Sequence, residues 1–78
     1  MGDNNYRYLV ERPAGFKDDG TPLFYVEISG DSSWTKPTKS STGGALVDGS
    51  LANESNNGKI YNWNEKTSSW KLKADFGV

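Results

Sequence analysis

Few kinds of side chain in this sequence could do chemistry. There is no cysteine and no histidine, which removes the thiolate nucleophile, the neutral-pH general base and the commonest zinc ligand. Serines recur at Ser29, Ser32, Ser33, Ser40 and Ser41, but none has a candidate base nearby and no Gly-x-Ser-x-Gly elbow is present. They read as turn serines. Paired carboxylates can cleave glycosides; Asp18-Asp19, directly before Gly20, reads instead as a turn former. The acidic residues do not follow the spacing of a calcium loop. Gly43-Gly44 lacks the downstream lysine and helix of a phosphate loop. Asn53-Glu54-Ser55 is a formal glycosylation acceptor, which means little without a secretory signal. The sequence is therefore read as non-enzymatic, with no catalytic residue, metal or cofactor.

The chemistry that remains is aromatic. The chain carries three Trp, four Tyr and three Phe, so its apolar area is concentrated in rings that each bury a large surface. Tyr25, Trp34, Tyr61, Trp63 and Trp70 are the candidate contact residues. They suit a platform for a sugar or a proline-rich peptide, an interface with another protein, or the core itself. Ile60 falls on the opposite side of its strand from Tyr61 and Trp63. That places apolar surface outside a one-layer core and favours an interface.

Size limits what can hold these rings in place. Seventy-eight residues make one domain, and a domain this small buries only about 60% of its unfolded surface. With no disulfide available, the chain needs a compact aromatic core or a neighbour. The net charge of -1, from nine basic and ten acidic residues, gives no footprint for nucleic acid. No apolar run reaches membrane length, and Met1–Asn5 lacks the regions of a signal peptide. The expectation is a protein made and used without secretion, with neither nucleic acid nor membrane as partner.

The positioning elements are strands. No stretch keeps helical apolar spacing for two turns. The pattern predicts an all-β fold: a small antiparallel meander or sandwich of four to six short strands with long polar loops. Tyr6–Glu11 alternates and is expected to stop at Pro13 and Gly15. Leu23–Ile28 is the strongest strand, with Phe24, Val26 and Ile28 on one face. Ser29-Gly30-Asp31 turns the chain, and Ser32–Lys36 is expected to return as a strand carrying Trp34. Residues 35–57 read as a flexible or partner-ordered region, with Ala45-Leu46-Val47 as a short apolar patch and Leu51-Ala52 as a further brief strand within it. Lys59–Trp63, a turn at Asn64–Thr67 and Ser68–Lys73 form a hairpin with Tyr61 and Trp63 facing Trp70 and Leu72. Gly20–Lys36 weakly echoes Gly58–Lys71: a glycine turn, an aromatic strand, a polar turn and a Ser-Trp return. This reads as shared hairpin chemistry.

Two resemblances follow from these residues. Asp48-Gly49-Ser50, Gly58-Lys59-Ile60-Tyr61-Asn62-Trp63-Asn64-Glu65 and Trp70 together resemble an element of short bacteriophage structural proteins. That element has a Gly-Ser, a Gly-Lys-x-Tyr strand, an Asn-rich turn and a tryptophan strand. The resemblance implies a virion structural role: capsid decoration, or a head–tail or tail accessory. The partner would be a larger virion protein, with a further copy of the chain as the other partner left open. The location would be the virion, after synthesis in the bacterial cytoplasm. Leu51-Ala52-Asn53-Glu54 is less β-like than that element expects. Secondly, Pro13-Ala14-Gly15-Phe16, Gly20, Phe24-Tyr25 and Trp34-Thr35-Lys36-Pro37 are similar to WW domains, with Phe16 in place of the first tryptophan and no histidine. That similarity implies a three-strand meander over residues 13–37, with Tyr25 and Trp34 forming a groove for proline-rich peptide.

Overall fold

The computed structural model describes residues 5–75. The alternating segments become strands: β1 (Arg7–Phe16), β2 (Pro22–Gly30), β3 (Ala45–Leu46), β4 (Leu51–Glu54), β5 (Lys59–Asn64) and β6 (Ser69–Asp75). All six belong to one sheet of order β1-β2-β4-β5-β6, with β3 also paired to β2. No helix forms among the described residues. The all-β expectation holds.

The pairing differs from an antiparallel meander or a sandwich. β1–β2, β4–β5 and β5–β6 are antiparallel, but β2 pairs parallel with both β3 and β4. The cause lies at Asp31. Its carboxylate accepts from the amide and hydroxyl of Ser33 at 2.9 and 2.7 Å, and its carbonyl accepts from Trp34 N at 3.0 Å. This closes a turn where the return strand at 32–36 was expected. The chain then runs across one face of the sheet through residues 31–44 and re-enters beside β2 in the same direction. Parallel neighbours need a crossover of about a dozen residues or more, and this segment supplies one.

β3 and β4 behave as one interrupted neighbour of β2. Leu23 and Phe24 pair with Ala45 and Leu46, while Glu27–Gly30 pair with Leu51–Glu54. Across the gap Val47 N donates to Phe24 O at 3.0 Å. The Ser50 hydroxyl, fully buried, accepts from Val26 N at 3.1 Å. A side-chain oxygen there takes the place of a ladder carbonyl and leaves no buried donor unmade. β1 runs through Pro13, contrary to expectation. It is an edge strand, where a missing N–H faces outward and costs no ladder bond. The register slips between Pro13 and Phe16, with Gly15 at φ 101°, the mark of a bulge.

The core occupies the face under the crossover. Tyr6, Val26, Ile28, Leu46, Ala52 and Trp63 are buried, and Tyr8, Phe24, Trp34, Tyr61 and Trp70 pack against them. Three rings also pin the crossover by their polar tips. Tyr6 OH donates to Asp31 O (2.9 Å), Tyr8 OH to Lys39 O (2.7 Å) and Trp70 Nε1 to Pro37 O (2.9 Å). Gly30 is a matter of space: a Cβ there would lie 2.8 Å from the Tyr6 ring and 2.9 Å from Trp34.

Candidate functional site

Cross-strand partners share a face, so the register sorts the five candidate rings. Tyr61 stands opposite Leu72, and Trp63 opposite Trp70. The two indoles meet edge to face, with centroids 5.1 Å apart at 70°, a favoured aromatic geometry. Trp34 sits against Tyr6 at 6.2 Å and 87°. These four rings belong to the core layer, and Trp63 is only 6% exposed. Tyr25 alternates with buried Val26 and lies on the opposite face. Tyr25 and Trp34 are thus on different sides of the sheet, and residues 32–36 form no third strand beside them.

Under the crossover, Lys36 Nζ makes an ion pair with Glu54, and both side chains are largely out of water at 16% and 5% exposure. The ammonium stands 4.3 Å from the Tyr61 centroid and 5.6 Å from that of Tyr6, within cation–π range. Asn57 Nδ2 donates to the same carboxylate at 2.9 Å. Burial alone would raise the Glu54 pKa; the hydrogen bonds from Lys36 and Asn57 outweigh it and hold the carboxyl below its ordinary value. Burial likewise opposes the Lys36 charge, and the bond to Glu54 together with the nearby Tyr6 hold its pKa above the ordinary value. Every group here is satisfied from within the chain, so the pair acts as a latch from crossover to β4.

The outer face carries a different set. Arg12 lies 5.1 Å over the Tyr25 ring, and Tyr25 OH donates to Glu27 Oε2 at 2.6 Å. That hydrogen bond, followed by burial, raises the Tyr25 pKa. Val10 pairs with Glu27, Glu27 with Leu51, Leu51 with Asn62 and Asn53 with Ile60. Half-buried Val10, Leu51 and Ile60 therefore lie among Asn53, Asn62 and the Arg12–Tyr25–Glu27 cluster. No strand of the described chain packs on this face. Among the described residues the exposed large apolar side chains are Leu9, Phe16 and Leu72, all on the two edge strands.

At one end of the sheet three turns enclose a cleft of about 340 Å³. The β1–β2 turn contributes Lys17 and Thr21, the crossover Thr38 and Lys39, and the β5–β6 turn Glu65 and Ser68. Ala45, Leu46 and Trp63 line it as well. Asp19 braces the first turn by accepting from Thr21 N at 2.9 Å. A hydrogen bond from the Thr21 side chain, followed by this backbone one, lowers the Asp19 pKa. The third turn is braced reciprocally: Asp48 N donates to Glu65 Oε1 at 3.0 Å, and Glu65 N donates to Asp48 Oδ1 at 2.5 Å. Sequence reading passed over Lys17, Lys39, Glu65 and Ser68, because they come from three distant turns and share no motif. No protein-family model, curated protein or solved structure matches the chain.

Proposed function

We propose that this chain is a non-enzymatic docking module, and within that class a bacteriophage virion accessory that binds a larger shell or tail protein through the outer face of its sheet. The observation that carries the reading is that face. An arginine-flanked tyrosine and three aliphatic side chains lie among amides, with no strand of the described residues over them. Interfaces favour this composition: Tyr and Arg as anchors, an apolar centre, a polar rim. The virion assignment draws on the resemblance of residues 48–70 to phage structural proteins. Of the five rings singled out in the sequence, Tyr25 is the one this reading places in contact with the partner. Trp34, Tyr61, Trp63 and Trp70 act behind it, as the layer that holds the sheet in shape. A WW-like or sugar platform built from those indoles is less favoured, because their ring faces are spent on one another and on Tyr6.

The test is co-sedimentation with particles of the source phage. The chain should pellet with them. The double variant Tyr25→Ala/Leu51→Lys should keep its circular dichroism and lose at least about thirtyfold in affinity, the equivalent of one strong hot spot of roughly 2 kcal/mol. Particles that lack the chain, or a double variant that binds as well as the parent, would refute it.

A further inference from the structure

We infer that the cleft between the three turns binds an acidic sugar unit, a hexose-sized ring bearing one carboxylate. This goes beyond the docking reading and stands without it, since cleft and outer face share no residue. At about 340 Å³ the cleft lies at the small end of the roughly 300–1,000 Å³ range of small-molecule sites. It suits a single ring better than a peptide or a nucleotide.

Its chemistry narrows the choice. Lys17 and Lys39 both line the cleft, and no ion pair seen among the described residues uses either, although Lys17 also acts electrostatically on Asp19. They favour a negative ligand. Glu65 lines the same cleft, and its carboxylate repels a multiply charged phosphate while accepting hydroxyl donors. Thr38 and Ser68 line it with hydroxyl side chains, while the Thr21 hydroxyl is engaged by Asp19. Half-buried Ala45, above a floor of nearly buried Leu46 and Trp63, adds an apolar wall that a bare inorganic anion would leave unused. One charge, several hydroxyls and an apolar ring face are the features of an acidic sugar.

A separate observation points to the same place. Ser68 is the one non-glycine residue with positive φ among the described residues, at 50°. It ends a four-residue turn, Glu65–Ser68. The preceding turn, Ser55–Gly58, has the same length and ends in Gly58 at φ 75°. Where one turn uses the residue suited to the conformation, its neighbour keeps a hydroxyl there under strain. Backbone strain retained by a polar residue gathers at binding sites.

The experiment is a titration of the full-length 15N-labelled chain with D-glucuronate, D-glucose, acetate and inorganic phosphate. Glucuronate should give saturable amide shifts at Thr38, Lys39, Gly43 and Ser68 and move the Trp63 indole. Glucose should move the same signals at least about fivefold more weakly. Lys39→Gln, at an exposed position, should weaken glucuronate about tenfold, the scale of one lost charge-assisted bond, and weaken glucose by a clearly smaller factor. If acetate or phosphate matches glucuronate, the site is a plain anion cleft and the inference fails. It also fails if millimolar glucuronate gives no saturable shift, or if Lys39→Gln binds it as the parent does.

Discussion

Ser68 shows what a single backbone angle costs and what it retains. A residue with a Cβ in the left-handed region loses about 1–2 kcal/mol against the right-handed one, and glycine does not. Glycine also widens the unfolded ensemble, which takes back part of any gain. The net effect of Ser68→Gly should be a stabilisation of about 0.5–1 kcal/mol, read as a higher urea midpoint at unchanged slope. A lower midpoint would mean that the hydroxyl contributes more to the fold than the angle costs. The same change removes one hydroxyl from the cleft, so a more stable variant that binds glucuronate less well is the expected pairing. Stability and binding draw in opposite directions on this residue.

Among the elements, the β5–β6 hairpin was legible in the sequence because its determinants are local: aromatic alternation on both arms and a short polar turn between them. Trp63 does stand opposite Trp70. Local letters misled at Ser32-Ser33-Trp34, which echo Ser68-Ser69-Trp70. The difference is Asp31, whose carboxylate captures Ser33 and turns the chain, a competition that Ser and Asp side chains commonly enter against strand pairing. β4 was the least readable strand, since Leu-Ala-Asn-Glu lacks strand propensity, yet it lies in the middle of the sheet. Its inward Glu54 makes sense only with Lys36, 18 positions earlier. The candidate site was legible only in part. Aromatic content marked the five rings, but their division between two faces depends on register, and the cleft depends on three turns that meet only after folding.

The Lys36–Glu54 latch makes a prediction at this scale. Glu54 has a folded pKa below that of an unfolded glutamate, about 4.3, so its contribution is complete above that pH and is lost as pH falls through the lower folded value. Lys36 has a folded pKa above the unfolded value of about 10.4, so its contribution is complete below that pH and is lost as pH rises through the folded value. Stability should be flat between these limits. Asp19 and Asp31, also depressed, share the acid limb, and buried Tyr6 and half-buried Tyr8 share the alkaline one. Glu54→Gln isolates the latch. It should cost about 2–3 kcal/mol at pH 7, below the roughly 3–5 kcal/mol of a fully buried broken pair because Lys36 keeps some access to water. The difference from the parent should shrink as pH falls below about 4. Urea midpoints at pH 7 and pH 3 check it: a gap that stays constant would show that Glu54 does not titrate with the fold.

As a whole molecule the chain is a slab, 41 × 31 × 18 Å. That thickness suits one sheet with a covering layer, since packed layers sit about 10 Å apart. The covering layer is the crossover 31–44. It lays backbone over the aromatic face, and its direction makes β2–β4 parallel, joining the β1–β2 ribbon to the β4–β5–β6 meander. A parallel link tolerates lengthening far better than shortening. Extra flexible residues add only a slowly growing closure entropy, while a connection much below a dozen residues cannot span the return. Four Gly/Ser residues inserted between Thr38 and Lys39 lie between the anchors at Pro37 and Lys39, and should cost well under about 1 kcal/mol. Deleting Lys39–Thr42 shortens the span. It also removes the Tyr8–Lys39 bond and the pair that Ser41 makes with Glu11. That variant should lose β2–β4 pairing, and with it the single cooperative transition expected of a small domain. The measurement is urea unfolding followed in parallel by Trp fluorescence and far-ultraviolet circular dichroism. Coincident transitions are expected for parent and insertion, and separated or absent ones for the deletion. A deletion variant that still unfolds in one coincident step would mean that the two halves of the sheet hold together without the crossover.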